Sequence, residues 1–132
     1  MLDSDVLIEN EGPNTLDEEL SRLIEKADEV EIAVAFIDEW GVDFLVDKLR
    51  KASRKKKRKV KILTRMSRDG DNSPNAFWKL LDFQNAYSED VEVRISALEK
   101  FHEKLYMISS AGETVVLMGS SNLTKRGLLE EG

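Results

Sequence analysis

Val30-Glu31-Ile32-Ala33-Val34-Ala35-Phe36-Ile37 is an almost unbroken apolar run. It has the pattern of a central strand covered on both faces. The turn Asp38-Glu39-Trp40-Gly41 follows, and Val42, Leu45, Val46 and Leu49 then recur at helical spacing as one core-facing stripe. Val60-Lys61-Ile62-Leu63-Thr64 reads as a second buried strand. A strand, a helix and a strand in this rhythm imply parallel pairing through a right-handed crossover.

Toward the N-terminus, Pro13-Asn14-Thr15 supplies a helix start. Asp17, Glu18 and Glu19 stand in the first turn, where the helix dipole favours negative charge, and Leu16, Leu20, Leu23, Ile24 and Ala27 form one apolar stripe. Val6-Leu7-Ile8, between acids, is read as an edge strand or an N-terminal arm. Toward the C-terminus, Arg65 to Ser73 is a polar loop leaving the end of the second strand, where α/β sheets carry ligands. Pro74 opens a helix with Phe77, Leu80, Leu81 and Ala86 expected to face inward, and Val91 to Ile95 alternates like a strand. Trp40 and Trp78, each near a helix start beside apolar partners, are expected to pack in the core rather than to stack on bases.

The next two apolar runs, Leu105 to Ile108 and Thr114 to Met118, flank the small polar stretch Ser110-Ala111-Gly112-Glu113. They read as an antiparallel hairpin with a four-residue loop. In that register Ser109 faces Thr114, Lys104 faces Gly119 and His102 faces Ser121. A last helix is expected from about Ser121 to Glu131. The fold class is therefore α/β: a mixed, mostly parallel sheet flanked by helices on both faces, forming a single domain over residues 1–132. The chain stops at Glu130-Glu131-Gly132 without a closing strand, as expected of a piece of a larger protein.

Composition bounds the chemistry. With no cysteine there is neither a disulfide nor a thiolate nucleophile or metal ligand, which suits a reducing cytoplasm. No apolar run approaches the roughly 20 residues that cross a bilayer. Net charge is −6, but from Asp3 to Asp47 acids outnumber bases whereas every charged residue from Lys48 to Arg68 is Lys or Arg. Phosphate binding needs only positive density on a reachable face. Even so, the densest part, Arg54 to Lys59, lies in a helix-to-strand loop at the end of the sheet opposite the ligand loops, and it also reads as a solvated turn. Arg65 and Arg68, on the ligand side, are better placed to touch a nucleic-acid backbone. Asp69, Asp71 and Asn72 lack the spacing of a calcium loop.

His102 is the chain's one histidine. Residues 102 and 104 project from one face of a strand, and the turn after the hairpin sets Ser120, Ser121 and Asn122 beside them. An imidazole, an ammonium, two hydroxyls and a carboxamide suit a tetrahedral oxyanion such as phosphate. Ser120 and Asn122 also fit helix N-cap positions, and capping and anion binding use the same free N–H groups.

These residues resemble the phospholipase D-like (HKD) superfamily, whose motif is H-x-K, four residues, D, a short gap, then G-S-x-N. The chain has His102-Glu103-Lys104 and Gly119-Ser120-Ser121-Asn122, with Ser109 where the family has Asp. Similarity extends to Ile32–Ile37, Trp40-Gly41, Val60–Thr64 and Pro74-Asn75-Ala76, as in the nuclease-like branch of restriction endonucleases and of the N-termini of DEAD/DEAH-type helicases. The resemblance implies a phosphodiesterase that needs no metal or cofactor, with His102 as nucleophile or general acid, Lys104 and Asn122 as phosphate ligands and Ser120 as an auxiliary donor. Ser121, Arg65 and Arg68 are the expected substrate contacts. A family active site uses two motif histidines, so one per chain implies a two-fold homodimer with a composite site. The expected partners are DNA and a helicase or restriction module in the same polypeptide, with no membrane. A phosphate-holding module without turnover, for DNA docking or dimerisation, is the alternative, and phospholipid hydrolysis is disfavoured for want of an apolar membrane-facing surface.

Overall fold

The computed structural model describes residues 6–9, 15–53, 58–65, 74–96, 104–118 and 122–129. In chain order these form β1 (Val6–Glu9), α1 (Leu16–Lys26), β2 (Glu29–Val34), α2 (Glu39–Ser53), β3 (Lys59–Arg65), α3 (Pro74–Ala86), β4 (Val91–Ser96), β5 (Lys104–Ser110), β6 (Glu113–Met118) and α4 (Lys125–Leu129). The strands make one sheet in the order β1-β6-β5-β2-β3-β4. Pairs β1/β6, β2/β3 and β3/β4 are parallel, and β5 runs antiparallel to both β2 and β6. The mixed, mostly parallel α/β sheet is the one expected, with Val6–Glu9 as an edge strand.

The helices are distributed differently from the expectation. Crossovers β1-α1-β2, β2-α2-β3 and β3-α3-β4 all carry the chain in the same direction across the sheet, so a common right hand puts all three helices over one face. There α1 packs on α2, α2 on α3, and α4 on α1 and α2. Burial follows: Val30, Ile32 and Val34 of β2 are buried, as are Val60, Ile62 and Thr64 of β3, while Glu31, Ala33 and Leu63 on the other face are half-buried and Lys61 is exposed. Among the described residues that second face has no helical layer.

The core is built from the stripes that the sequence shows. Leu16, Leu20 and Ile24 of α1 and Val42, Leu45 and Leu49 of α2 meet Ile32, Ile62, Tyr106 and Ile108 of the sheet. In α3 the inward face is Ala76, Leu80 and Phe83. Ala86 is exposed and Leu81 half-buried. Trp40 packs against the core and lies parallel to the Phe44 ring at 5.9 Å. Trp78, expected inside, is 65 % exposed, because the turn of the helix that buries residues 76, 80 and 83 points residue 78 outward.

β2 ends at Val34 rather than Ile37. Beyond the end of β2, Phe36 to Asp38 pair with Leu123, as a parallel bridge of Ile37 with Leu123 and backbone bonds Leu123 N–H to Phe36 O and Asp38 N–H to Leu123 O, both 3.2 Å. The hairpin keeps the expected register, with Ser109 opposite Thr114, but its turn is only Ala111-Gly112. Both residues have positive φ, 50° and 84°, as a two-residue turn matching strand twist requires. The described part of the last helix begins at Lys125, not at Ser121.

Candidate functional site

The C-terminal end of β2 is the meeting point. In the antiparallel pairing of β2 with β5, Lys104 lies opposite Val34, so β5 begins where β2 ends. Parallel β3 brings Thr64 level with Val34 and Arg65 just beyond. The Arg65 guanidinium carbon sits 4.7 Å from the centre of the Phe36 ring, within the range of a cation–π contact. The Asn122 side-chain oxygen accepts the Phe36 backbone N–H at 3.2 Å. Arg65 and Asn122 thus both meet Phe36, and Lys104 stands at the same sheet end by its backbone register with Val34.

The orientation of Asn122 follows from its partner. A backbone N–H only donates, so the carboxamide oxygen must face Phe36, and the carboxamide NH₂, a double donor, is directed elsewhere. An ammonium, a guanidinium and an amide donor at one sheet end make a set suited to phosphate oxygens. His102, Ser120, Ser121 and Arg68 lie outside the described residues.

Ser109 lies at the other end. It is level with Glu29 at the start of β2 and five residues beyond Lys104, about 17 Å at strand rise. Its hydroxyl is 3.0 Å from that of Thr114. The serine that stands at the motif's aspartate position therefore removes no charge from around Lys104 and Asn122.

The basic run is tied to its own surroundings where it is described. Arg58 is almost fully buried and donates from Nη1 to the Ile24 carbonyl at the end of α1, 2.6 Å away. Burial lowers its pKa, and the nearby Asp28 carboxylate works against that shift. Lys51 pairs with Asp47 at 3.1 Å, and Lys59 donates to the Glu89 carbonyl at 2.9 Å. Arg54 to Lys57 lie outside the described residues.

Sequence reading missed Asp38, which it placed in a turn. Its side chain accepts the Gly41 N–H at 2.7 Å and the Lys125 N–H at 3.0 and 3.2 Å. An acid three residues before the first-turn glycine of a helix is an N-cap signal. Nothing local in the sequence announces the second bond, to a residue 87 positions away.

A family model described as "Cardiolipin synthase, PLD-like domain" matches residues 20–131, which run from the first turns of α1 to the end of the chain's last described helix and include the stretches around Lys104 and Asn122. No curated protein sequence matches the chain. No helix among the described residues is long and apolar enough to cross a membrane. With a mixed α/β sheet and a family match over most of its length, the chain belongs to the phospholipase D-like superfamily, a phosphodiesterase-type superfamily.

Proposed function

We propose that this domain is a metal-independent phosphodiesterase acting on DNA in the cytoplasm, as a homodimer joined to a helicase or restriction module. The observation that carries the reading is the placement of Lys104, Arg65 and Asn122 at one end of the sheet, the C-terminal end of β2 and β3, where α/β sheets carry ligands. These groups offer positive charge and donors to the oxygens of a phosphodiester, and more strongly as negative charge builds in the transition state. A DNA substrate and the module it is joined to follow from the resemblance to the nuclease-like branch.

In the mechanism that the resemblance implies, an imidazole nitrogen of His102 attacks phosphorus. A P–N bond forms, and the P–O bond to the leaving group breaks. His102 of the second copy gives its proton to that leaving oxygen, then takes a proton from water as the water attacks phosphorus and breaks the P–N bond. Imidazole titrates near neutral pH and so serves in both roles. Lys104, Asn122 and Ser120 hold the phosphoryl oxygens, while Ser121, Arg65 and Arg68 hold the flanking backbone.

One histidine per chain favours a second reading for a lone copy. Such a copy supplies only one of the two proton-handling groups, and it binds phosphate without turning it over. The two readings separate when the purified domain is incubated with plasmid and with bis-nitrophenyl phosphate in EDTA. The expected result is turnover that falls about 10²- to 10⁴-fold in His102→Ala, the usual worth of a positioned acid–base group. Turnover that needs a divalent metal, or that survives in His102→Ala, overturns the enzyme reading. DNA binding without turnover supports the module.

A further inference from the structure

Asn122 is held by an arrangement whose centre is a residue outside the motif. Its chain segment, 122 to 124, runs between the start of α2 and the start of α4. Leu123 is fully buried and bonded on both sides to the Phe36–Asp38 backbone. Two glycines permit the fit: a Cβ on Gly41 would stand 2.1 Å from the Leu123 carbonyl oxygen, and one on Gly127 would stand 2.3 Å from that of Asn122. Thr124 caps α4, its hydroxyl accepting the Gly127 N–H at 3.0 Å. The Asp38 carboxylate closes the arrangement by taking an N–H from Gly41 and another from Lys125 at once.

We infer that Asp38 is a positioning residue for Asn122, tying α2 to α4 so that the carboxamide is presented to a phosphate oxygen in a fixed place. The inference rests on the phosphodiesterase reading above. Capping α2 requires only one oxygen near Gly41, and a serine would serve. The carboxylate does more: Oδ1 is shared between Gly41 and Lys125, and Oδ2 reaches Lys125 alone. Lys125 follows Asn122 by three residues, so its bond to Asp38 holds the end of the segment that carries Asn122. Displacement of a phosphate ligand by about 1 Å costs up to about 100-fold in rate.

The variants that separate capping from tying are Asp38→Ser, which keeps the cap but is too short to reach Lys125, and Asp38→Asn, whose single oxygen can still meet both N–H groups. With folding checked by circular dichroism, Asp38→Ser is expected to lower kcat for bis-nitrophenyl phosphate about 10- to 100-fold, with Asp38→Asn restoring part of the loss. In an Asn122→Ala background the same Asp38→Ser change should alter kcat less than about twofold, since coupled residues do not add. Equal losses in both backgrounds, or no loss in either, overturn the inference.

A readout without substrate keeps the two readings apart. The Asn122 side-chain amide resonance, assigned by its loss in Asn122→Ala, should move in Asp38→Ser and stay near its place in Asp38→Asn. An unmoved resonance overturns the positioning role whatever the activity. If the resonance moves as expected while the wild-type domain neither turns over bis-nitrophenyl phosphate nor binds inorganic phosphate, the phosphodiesterase reading falls instead.

Discussion

Tyr106 shows how one buried group sets a pH limit on the fold. It stands in the middle of β5, opposite Ile32 and 2 % exposed, and burial pushes its phenol far above the ordinary value of 10.0. The folded state therefore keeps a proton that the unfolded chain releases from about pH 10 upward. Stability from this residue is intact below that point and falls as pH rises beyond it, by about 1.4 kcal/mol per pH unit. Urea unfolding between pH 9 and 11, a range chosen around that roughly pH 10 onset, should fall less steeply in Tyr106→Phe than in the wild type. Parallel slopes would refute the assignment. At the same scale, Gly41→Ala gains helix propensity but sets a methyl group into the Leu123 carbonyl. The expected net cost is about 1–3 kcal/mol by chemical denaturation, with Asn122 displaced.

Among the elements, the β5–β6 hairpin has a turn residue that its backbone does not favour. Ala111 takes φ 50°, a left-handed conformation costing a non-glycine residue roughly 1 kcal/mol. Asn is the preferred residue at the first position of such a turn. Ala111→Asn is thus expected to raise stability by about 0.5–1 kcal/mol, read as a higher urea midpoint at unchanged slope, and a lower midpoint would count against the assigned turn. The backbone N–H used by the Asp28 carboxylate, 3.0 Å away, is retained in that variant. Asp28 also bonds through its own N–H to the Ser109 carbonyl at 2.8 Å, so the hairpin end is anchored to the start of β2. That anchor lies at the opposite sheet end from Lys104, so the serine at position 109 belongs to the hairpin's attachment rather than to the groups around Lys104.

For the whole molecule, oligomeric state becomes part of the chemistry if the composite-site proposal holds, since the sequence carries one histidine. The composite-site reading expects sedimentation at twice the mass of one chain, and turnover that falls faster than linearly as the domain is diluted through its dimer dissociation range. A monomer with undiminished turnover would exclude it. The sheet itself is two-layered among the described residues. Its face without helices carries Ala33, Leu63, Leu105 and Met107 between Glu31, Lys61, Glu92 and Arg94. Lys61, Glu92 and Arg94 on that face belong to β3 and β4, a parallel pair, whereas parallel strands are usually covered on both faces.

Sequence alone determined what is local. The stripes of α1 and α2, the strand periods, the hairpin register and the likeness of His102-Glu103-Lys104 and Gly119-Ser120-Ser121-Asn122 to a known motif all lie within short windows, where the 3.6 and 2.0 periods and turn chemistry act. Tertiary structure decided the rest. It set the strand order that puts all four described helices on one face, the outward turn of Trp78, and the burial of Arg58 against α1. It also placed Ser109 far from Lys104 and stretched Asp38 across to Lys125. Each of these depends on contacts between residues distant in the chain, whose energy is gained only after the loops between them close. No period or composition within a short window encodes such a closure.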